Sequence, residues 1–180
     1  MPNTTTGTGT IFSRRIALND AAAFQGRIDA SAEECTHLCA LFRIDGLSAF
    51  YFTYRITPLP SHRYRLTGDL NADVTQSCVL TLEPVTEHIQ ETASVEFWPA
   101  AQIASADFAT LDTGLDDEFP EEIIDGKIDV GAFAAELLAS LINPYPKKSG
   151  VGFEWTDQKD TFETAPSGPF AQLGKLRTDR

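Results

Sequence analysis

Cysteine and histidine are the residue types in this chain that most often bind metals or act as nucleophiles, and there are three of each. Cys35 and Cys39 are four residues apart, which places both thiols on one face of a helix. A structural zinc site with these thiols and Cys78 would need a fourth ligand, either His62 or His88, and would lack the usual C-x-x-C spacing. The other interpretation is that all three thiols are small buried hydrophobic groups. The spacing favours this second interpretation, so neither a metal nor a cofactor is predicted.

Carboxylates are concentrated in one acidic segment, residues 107–129, DFATLDTGLDDEFPEEIIDGKID. It has nine acidic residues and one lysine, so it carries −8 of the net charge of −12. The negative electrostatic field of this segment repels nucleic acid and attracts basic proteins. Two interpretations are open: a solvated loop that aids solubility, or a binding surface for a basic protein partner. The residues predicted to bind that partner are Asp116, Asp117, Glu118, Glu121, Glu122, Asp125 and Asp129.

The same carboxylates suggest an enzymatic alternative, a metal-dependent nuclease that uses Glu136 with Asp125 or Asp129. Catalytic Mg²⁺ sites need acidic residues that converge from rigid elements. Most acids here lie in a segment interrupted by Pro120 and Gly126, whereas Glu136 lies on a predicted helix. The chain contains no glycine-rich phosphate loop, no G-x-S-x-G and no H-E-x-x-H. The residues therefore show no visible active site, and the favoured role of Glu136 is to cap or orient the Asp-Gly loop by hydrogen bonds.

Basic residues are sparse, but several of them fall on predicted strands beside aromatic residues. Tyr51, Thr53 and Arg55 alternate on one strand face, and Arg63 and Arg65 follow a turn. A basic and aromatic sheet face can stack on RNA bases and neutralise phosphates. The alternative is the ordinary solvent-exposed face of an antiparallel sheet. The residues predicted to bind RNA are Arg55, Arg63, Arg65, Lys147 and Lys148.

The elements that must position these residues follow from hydrophobic periodicity. Residues 11–18 are predicted as a first strand, and residues 20–45 as mostly helical, with a capping box formed by Ser31 and Glu34. About fifty residues of alternating pattern come next, in which Gly68 indicates a bulge or a bend. Because these strands are joined by short turns, they predict an antiparallel meander or a partly closed barrel with packed helices, an α+β fold. A last helix is predicted from the cap at Asp129 to Pro144.

Domain organisation and location follow from composition. Residues 1–10 are predicted as a disordered polar tail, residues 11–148 as one α+β domain, and residues 149–180 as a loosely ordered extension that ends in a short amphipathic segment. No stretch approaches the ~20 apolar residues of a membrane span. The start of the chain lacks the pattern of a secretory signal. With few cysteines, in odd number, a cytoplasmic protein is predicted. No membrane partner is expected, and no small-molecule substrate is evident from the sequence.

Several landmarks occur together in one order: GDLNADVTQSCVLTLEPV (68–85), EFWP (96–99), IIDGKIDVGAFAAELLASLINPYPKK (123–148) and PFAQLGKL (169–176). This series resembles the YceD family of bacterial and plastid proteins, in its alphaproteobacterial-like form. The resemblance implies a role in the accumulation of large-subunit ribosomal RNA, and hence in ribosome biogenesis. It implies no enzymatic activity. The partners expected from it and from the charge are a ribosomal protein or assembly factor and ribosomal RNA.

The resemblance also bears on Cys78. Many members of the family have a C-x-x-C at this strand end and further cysteines after the Pro-Tyr-Pro segment, which together resemble a zinc site. Here Cys78 matches the first cysteine, Thr81 stands in place of the second, and no cysteine follows Pro146. The resemblance therefore implies that Cys78 is a remaining position of that pattern, packed beside Leu80 and Leu82.

Overall fold

The computed structural model describes residues 11–18, 23–105 and 119–152. The described elements are strands β1 (Arg15–Ala17) and β2 (Phe24–Asp29), helix α1 (Ala32–Phe42), strands β3 (Gly46–Leu59), β4 (Arg63–Ser77) and β5 (Pro84–Pro99), helix α2 (Ala100–Ser105), strands β6 (Glu121–Ile123) and β7 (Lys127–Asp129), and helix α3 (Val130–Leu141). The predicted tail (1–10) and most of the predicted C-terminal extension lie outside the described residues.

Strands β2 to β6 form one five-stranded sheet in the order β2-β3-β4-β5-β6, and β1 and β7 form a separate two-stranded antiparallel sheet. Pairing is antiparallel from β2 to β5, whereas β5 and β6 are parallel. The predicted α+β fold with an antiparallel meander is confirmed. The sheet is mixed and, in the described part of the chain, open, because its two edge strands, β2 and β6, do not pair with each other.

The inner face of the large sheet carries the hydrophobic core. Alternation along β3 and β4 directs Phe52, Ile56, Leu66 and Leu70 inward, and all four are fully buried. Helices α1 and α3 contribute buried leucines to the same cluster, which also includes Phe12 and residues of β7. The opposite face of the sheet, here called the outer face, presents the alternate polar residues to solvent.

The prediction of a mostly helical segment over residues 20–45 is wrong at β2. Phe24, Gly26 and Ile28 lie on one side of this strand, and the residues between them are exposed, so its period is two rather than 3.6. The helix begins only at Ala32. The predicted capping box is confirmed, since the Ser31 hydroxyl accepts from the backbone N–H of Glu34, and the Glu34 carboxylate accepts from that of Ser31.

Gly68 does not mark a bulge. It pairs in continuous register with Tyr54 on β3 and Ala93 on β5, and the irregularity of the sheet lies instead between Ser48 and Tyr51. A Cβ at Gly68 would lie 2.4 Å from the ring of Phe52 and 2.4 Å from the carbonyl oxygen of Thr53. Glycine is required here because the aromatic ring and the neighbouring strand approach the backbone closely.

The acidic segment is described only from residue 119 onward. Its described part forms β6, β7 and the turn between them, which were not predicted as strands. Asp116, Asp117 and Glu118 lie outside the described residues. None of the helices within the described ranges is long and apolar enough to cross a membrane.

Candidate functional site

A cleft opens where β6 and β7 diverge. The two strands are joined by a tight turn in which the backbone N–H of Lys127 donates to the carbonyl of Ile124 at 3.0 Å. Asp125 and Gly126 in this turn have positive φ angles of 52° and 66°, a conformation that Asp-Gly pairs adopt readily. Beyond the turn, β6 joins β5 and β7 joins β1. We call the resulting space, of about 210 Å³, the β6–β7 cleft.

The β6–β7 cleft combines apolar and charged side chains from five elements and from the β6–β7 turn. It is lined by Arg15, Phe97, Glu121, Glu122, Ile124, Lys127, Asp129, Ala132, Phe133 and Glu136. Four carboxylates and two cations give this lining a net charge of −2. The volume is below the ~300–1,000 Å³ of typical small-molecule pockets. A space of this size accommodates one side chain of a partner.

Asp129 connects the elements around the cleft through its hydrogen bonds. Its Oδ1 accepts from the backbone N–H of Ala132 at 3.1 Å, which confirms the predicted helix cap, and from that of Arg14 at 2.8 Å. Its Oδ2 accepts from the Ser13 hydroxyl, and the Nε of Arg15 lies 3.6 Å away. Burial raises the pKa of Asp129, but the hydrogen bonds from Ser13, Ala132 and Arg14 outweigh it and hold this pKa below its ordinary value.

Two acidic residues of the cleft differ from Asp129, because they have no partner in the described part of the chain. Glu122 and Glu136 are exposed and form no hydrogen bond or ion pair with the residues that the structure describes. The structure thus brings Glu136 together with three of the predicted partner-binding residues, Glu121, Glu122 and Asp129. Asp125 lies on the exposed turn and does not line the cleft. Sequence reasoning does not identify the two cations of the cleft, although the lysine is two residues from Asp129 in the chain.

The predicted nuclease requires carboxylate oxygens in the cleft that can bind a metal ion. Both carboxylate oxygens of Asp129 already accept hydrogen bonds, and Arg15 and Lys127 line the same space. Among residues 11–18, 23–105 and 119–152, no group of three His, Cys, Asp or Glu side chains has an arrangement that would hold a metal ion. The alternative of a zinc site has no such group there either.

The outer face of the sheet holds three of the predicted RNA-binding residues. Arg63 stacks on the Trp98 ring at 3.6 Å from its centroid, and its Nε donates to Gln102 at 2.7 Å. Arg55 donates to the amide oxygen of Gln25 at 2.7 Å. Arg65 instead forms an ion pair of 2.6 Å with a carboxylate, that of Glu96. Arg55 and Arg63 therefore donate to neutral amides, whereas Arg65 donates to a carboxylate.

The two predicted RNA-binding lysines lie elsewhere. Lys148 forms an ion pair of 2.7 Å with Glu83, in the connection between β4 and β5. Its backbone contacts Cys78, which follows the end of β4, whereas Arg65 lies near the start of that strand. Because a strand rises roughly 3.3 Å per residue, the lysines lie about 40 Å from the arginines along the sheet. The structure does not bring Lys147 and Lys148 into one surface with the three arginines.

Cys78 joins two turns that are distant in sequence. Its Sγ accepts from the backbone N–H of Lys148 at 3.4 Å, and the N–H of Val79 donates to the carbonyl of Pro146 at 2.9 Å. The hydrogen bond from the Thr81 side chain, followed by N–H groups that include that of Lys148, lowers the pKa of Cys78 to about 6. Thr81, which stands where the resemblance implies a second cysteine, thus favours the thiolate form of Cys78.

The prediction that Cys78 is buried is confirmed, but its predicted place on a strand face shared with Leu80 and Leu82 is wrong. Residues 78–83 form a turn rather than a strand, so Cys78 is fully buried while Leu80 is 39% and Leu82 is 78% exposed. The other two thiols are partly buried on α1. Burial raises the pKa of both Cys35 and Cys39, which disfavours their reactive thiolate forms.

The chain matches no family model, no curated protein and no solved structure. The resemblance to the YceD family therefore rests on the order and spacing of the sequence landmarks.

Proposed function

We propose that this protein is a non-catalytic ribosome-biogenesis factor that promotes accumulation of large-subunit ribosomal RNA by binding a basic ribosomal protein or assembly partner. The partner binds at the β6–β7 cleft, and ribosomal RNA contacts the outer face near Arg55 and Arg63. One observation supports this proposal best. Carboxylates from β6 and α3, two of them without partners among the described residues, line one cleft of net negative charge beside the apolar ring of Phe133.

The charge balance favours a protein partner over RNA as the principal ligand. RNA affinity depends on cationic side chains that displace counterions from phosphates. The chain has 14 basic and 26 acidic residues, and one of the three outer-face arginines is already paired with a carboxylate. A negative cleft instead increases the association rate of a basic protein and selects against acidic ones.

The test is affinity purification of the full chain from its own cells at low salt, with and without RNase. Survival of basic ribosomal proteins after RNase treatment supports binding through the cleft, and their loss supports contact through RNA. The double variant Glu122→Gln, Glu136→Gln should recover less of these proteins than the wild type. Glu87→Gln, Glu91→Gln on β5 removes the same charge elsewhere and should recover as much. Recovery of no ribosomal component would contradict the proposal.

A metal-dependent nuclease is the second candidate, because Glu136 and Asp129 line the same cleft. The occupied oxygens of Asp129 and the two neighbouring cations weigh against it. It predicts Mg²⁺-dependent cleavage of ribosomal RNA precursor that is lost in Glu136→Gln. Absence of such cleavage by the wild type would remove this candidate and leave the binding function unaffected.

A further inference from the structure

Helix α1 carries two thiols beside a groove that the proposed function does not use. Cys35 and Cys39 both line a space of about 480 Å³ between α1 and the start of β3, here called the α1–β3 groove. Asp45 and the first residues of β3 form its opposite wall. Both cysteines are partly buried, neither forms a disulfide, and neither sulfur has a hydrogen-bond partner within the described ranges. The pair is thus a candidate for a ligand that binds two sulfur atoms.

The helix holds the two thiols near each other but opposes a direct bond between them. Residues four apart on an α-helix have Cβ atoms about 5–6 Å apart, whereas a disulfide requires a separation of about 3.5–4.5 Å. The capping box of Ser31 and Glu34 stabilises the turn that contains Cys35. A disulfide to Cys39 would therefore distort a capped helix, whereas an atom placed between the two sulfurs can bridge them without such a distortion.

We propose that Cys35 and Cys39 bind one Cu(I) ion in the α1–β3 groove as a two-coordinate dithiolate. Soft thiolate ligands select Cu(I), zinc or iron–sulfur clusters. Zinc and iron–sulfur clusters usually take four protein ligands. In the described part of the chain, no group of three His, Cys, Asp or Glu side chains has an arrangement that would hold a metal ion. Cu(I) is the soft ion that two thiolates alone can bind, and this inference is independent of the proposed function.

The charge of the groove favours a cation between the thiols. Burial and, after it, the charge of Asp45 raise the pKa of Cys39. Burial and, after it, the charge of Cys39 raise the pKa of Cys35, so the two thiols also interact with each other. A negative field that disfavours a bare thiolate favours a thiolate paired with a cation. Binding of Cu(I) releases both thiol protons to solvent and changes no oxidation state.

Asp45 does not compete with the thiols for the ion. Its carboxylate accepts a hydrogen bond of 2.7 Å from the Ser77 hydroxyl. Carboxylate oxygens are hard donors, which suit magnesium and calcium rather than Cu(I). The role of Asp45 in the groove is therefore electrostatic, and the two sulfurs supply the bonds to the ion.

Phenylarsine oxide tests the geometry of the pair, because one arsenic atom forms two As–S bonds only with neighbouring thiols. Both thiols lose their protons, and the oxygen of the reagent leaves as water. The intact mass of the full chain should show one adduct for the wild type and none for Cys35→Ser or Cys39→Ser. Two controls should form the adduct as the wild type does: His37→Ala, an exposed residue of the same helix, and Cys78→Ala, since neither residue lines the groove.

Cu(I) is then added without oxygen to the reduced full chain in competition with bicinchoninate, a chelator that forms a coloured Cu(I) complex. The wild type should remove one Cu(I) per chain from the chelator and gain an ultraviolet sulfur-to-copper absorbance. Cys35→Ser and Cys39→Ser should each lose both signals, whereas His37→Ala and Cys78→Ala should keep them. Loss in His37→Ala would overturn the inference, because an imidazole would then be the required ligand.

Two further results would contradict the assignment. One is a wild type that takes no more Cu(I) than the double variant Cys35→Ser, Cys39→Ser. The other is an arsenic adduct without retention of Cu(I), because the thiols would then be neighbours without affinity for copper. Serine is close to cysteine in size, and circular dichroism of each variant shows whether the helix is intact. If Cys78→Ala fails to fold, His37→Ala remains as the control.

Discussion

The ion pair between Arg14 and Glu34 should give the protein a defined loss of stability in acid. The Arg14 guanidinium donates two hydrogen bonds to the Glu34 carboxylate, at 2.8 and 3.0 Å, and so connects the segment before β1 to the start of α1. This interaction, together with the hydrogen bonds from Ser31, lowers the pKa of Glu34 from 4.5 to about 2. Removal of the charge in Glu34→Gln tests the pair and preserves an acceptor for Ser31.

The expected loss of stability in Glu34→Gln follows from the pKa of Glu34 and from the exposure of its partner, Arg14. The fall in the pKa of Glu34 to about 2 corresponds to roughly 3 kcal/mol, at about 1.4 kcal/mol per pH unit. Because the side chain of Arg14 is 36% exposed, solvent screening reduces this contribution. With that reduction, we expect Glu34→Gln to lower the free energy of unfolding by roughly 1–2 kcal/mol at neutral pH.

The direction of the pKa shift of Glu34 determines whether the ion pair stabilises the protein at high or at low pH. Because the pKa of Glu34 is lower in the folded protein, the contribution is complete above pH ~4.5, the unfolded value, and is lost as the pH falls toward ~2. The difference in stability between wild type and Glu34→Gln should therefore shrink over this range.

The assay is urea unfolding followed by tryptophan fluorescence at several pH values, for the wild type, Glu34→Gln, Arg14→Gln and the double variant. Glu33→Gln removes an exposed charge from the same helical turn and serves as the control. A stability difference that stays constant from neutral pH down to the folded-state pKa, or single variants whose effects simply add, would refute the assignment to an ion pair.

Two further predictions concern a glycine and a thiol. Gly68→Ala should lower the free energy of unfolding by ~1–3 kcal/mol, because the new Cβ would collide with the Phe52 ring. Gly152→Ala, where an added Cβ would meet no atom of the described residues within 4 Å, is the control, and equal stability of the two variants would contradict the packing argument. In a Cys35→Ala, Cys39→Ala background, the ultraviolet absorbance of the thiolate should appear with a midpoint at a pH of about 6, because Thr81 and backbone N–H groups stabilise the Cys78 anion. A midpoint at or above the ordinary cysteine value would show that these hydrogen bonds do not favour the thiolate.

Features set by neighbouring residues could be predicted from the sequence. The capping box at Ser31 and the cap at Asp129 depend on residues three positions apart, and the strands of the meander follow from a period of two. Sequence reasoning misses β2 because its Ala-rich flanks suggest a helix, whereas pairing with β3 decides the outcome. Tertiary pairing of this kind overrides local propensity.

The candidate site could be predicted only in part for the same reason. The acidic residues of the cleft are visible as a run of charge, but their arrangement depends on β6 pairing in parallel with β5 and on β7 pairing with β1. Arg15 reaches the cleft by pairing with Asp129, near the other end of the described chain, and no local pattern encodes that contact. The separation of the lysines from the arginines likewise follows from the length of β4.

The hydrogen bonds of Asp129 have a consequence for biosynthesis. Strand β1 depends on this carboxylate and on β7, and Arg14 and Asp129 are 115 positions apart. At a translation rate of ~5–20 residues per second, the residues of β1 are synthesised about 6–23 s before their partners in β7. The two-stranded sheet, and the cleft beside it, therefore form late, after the meander of β2 to β5 has been synthesised.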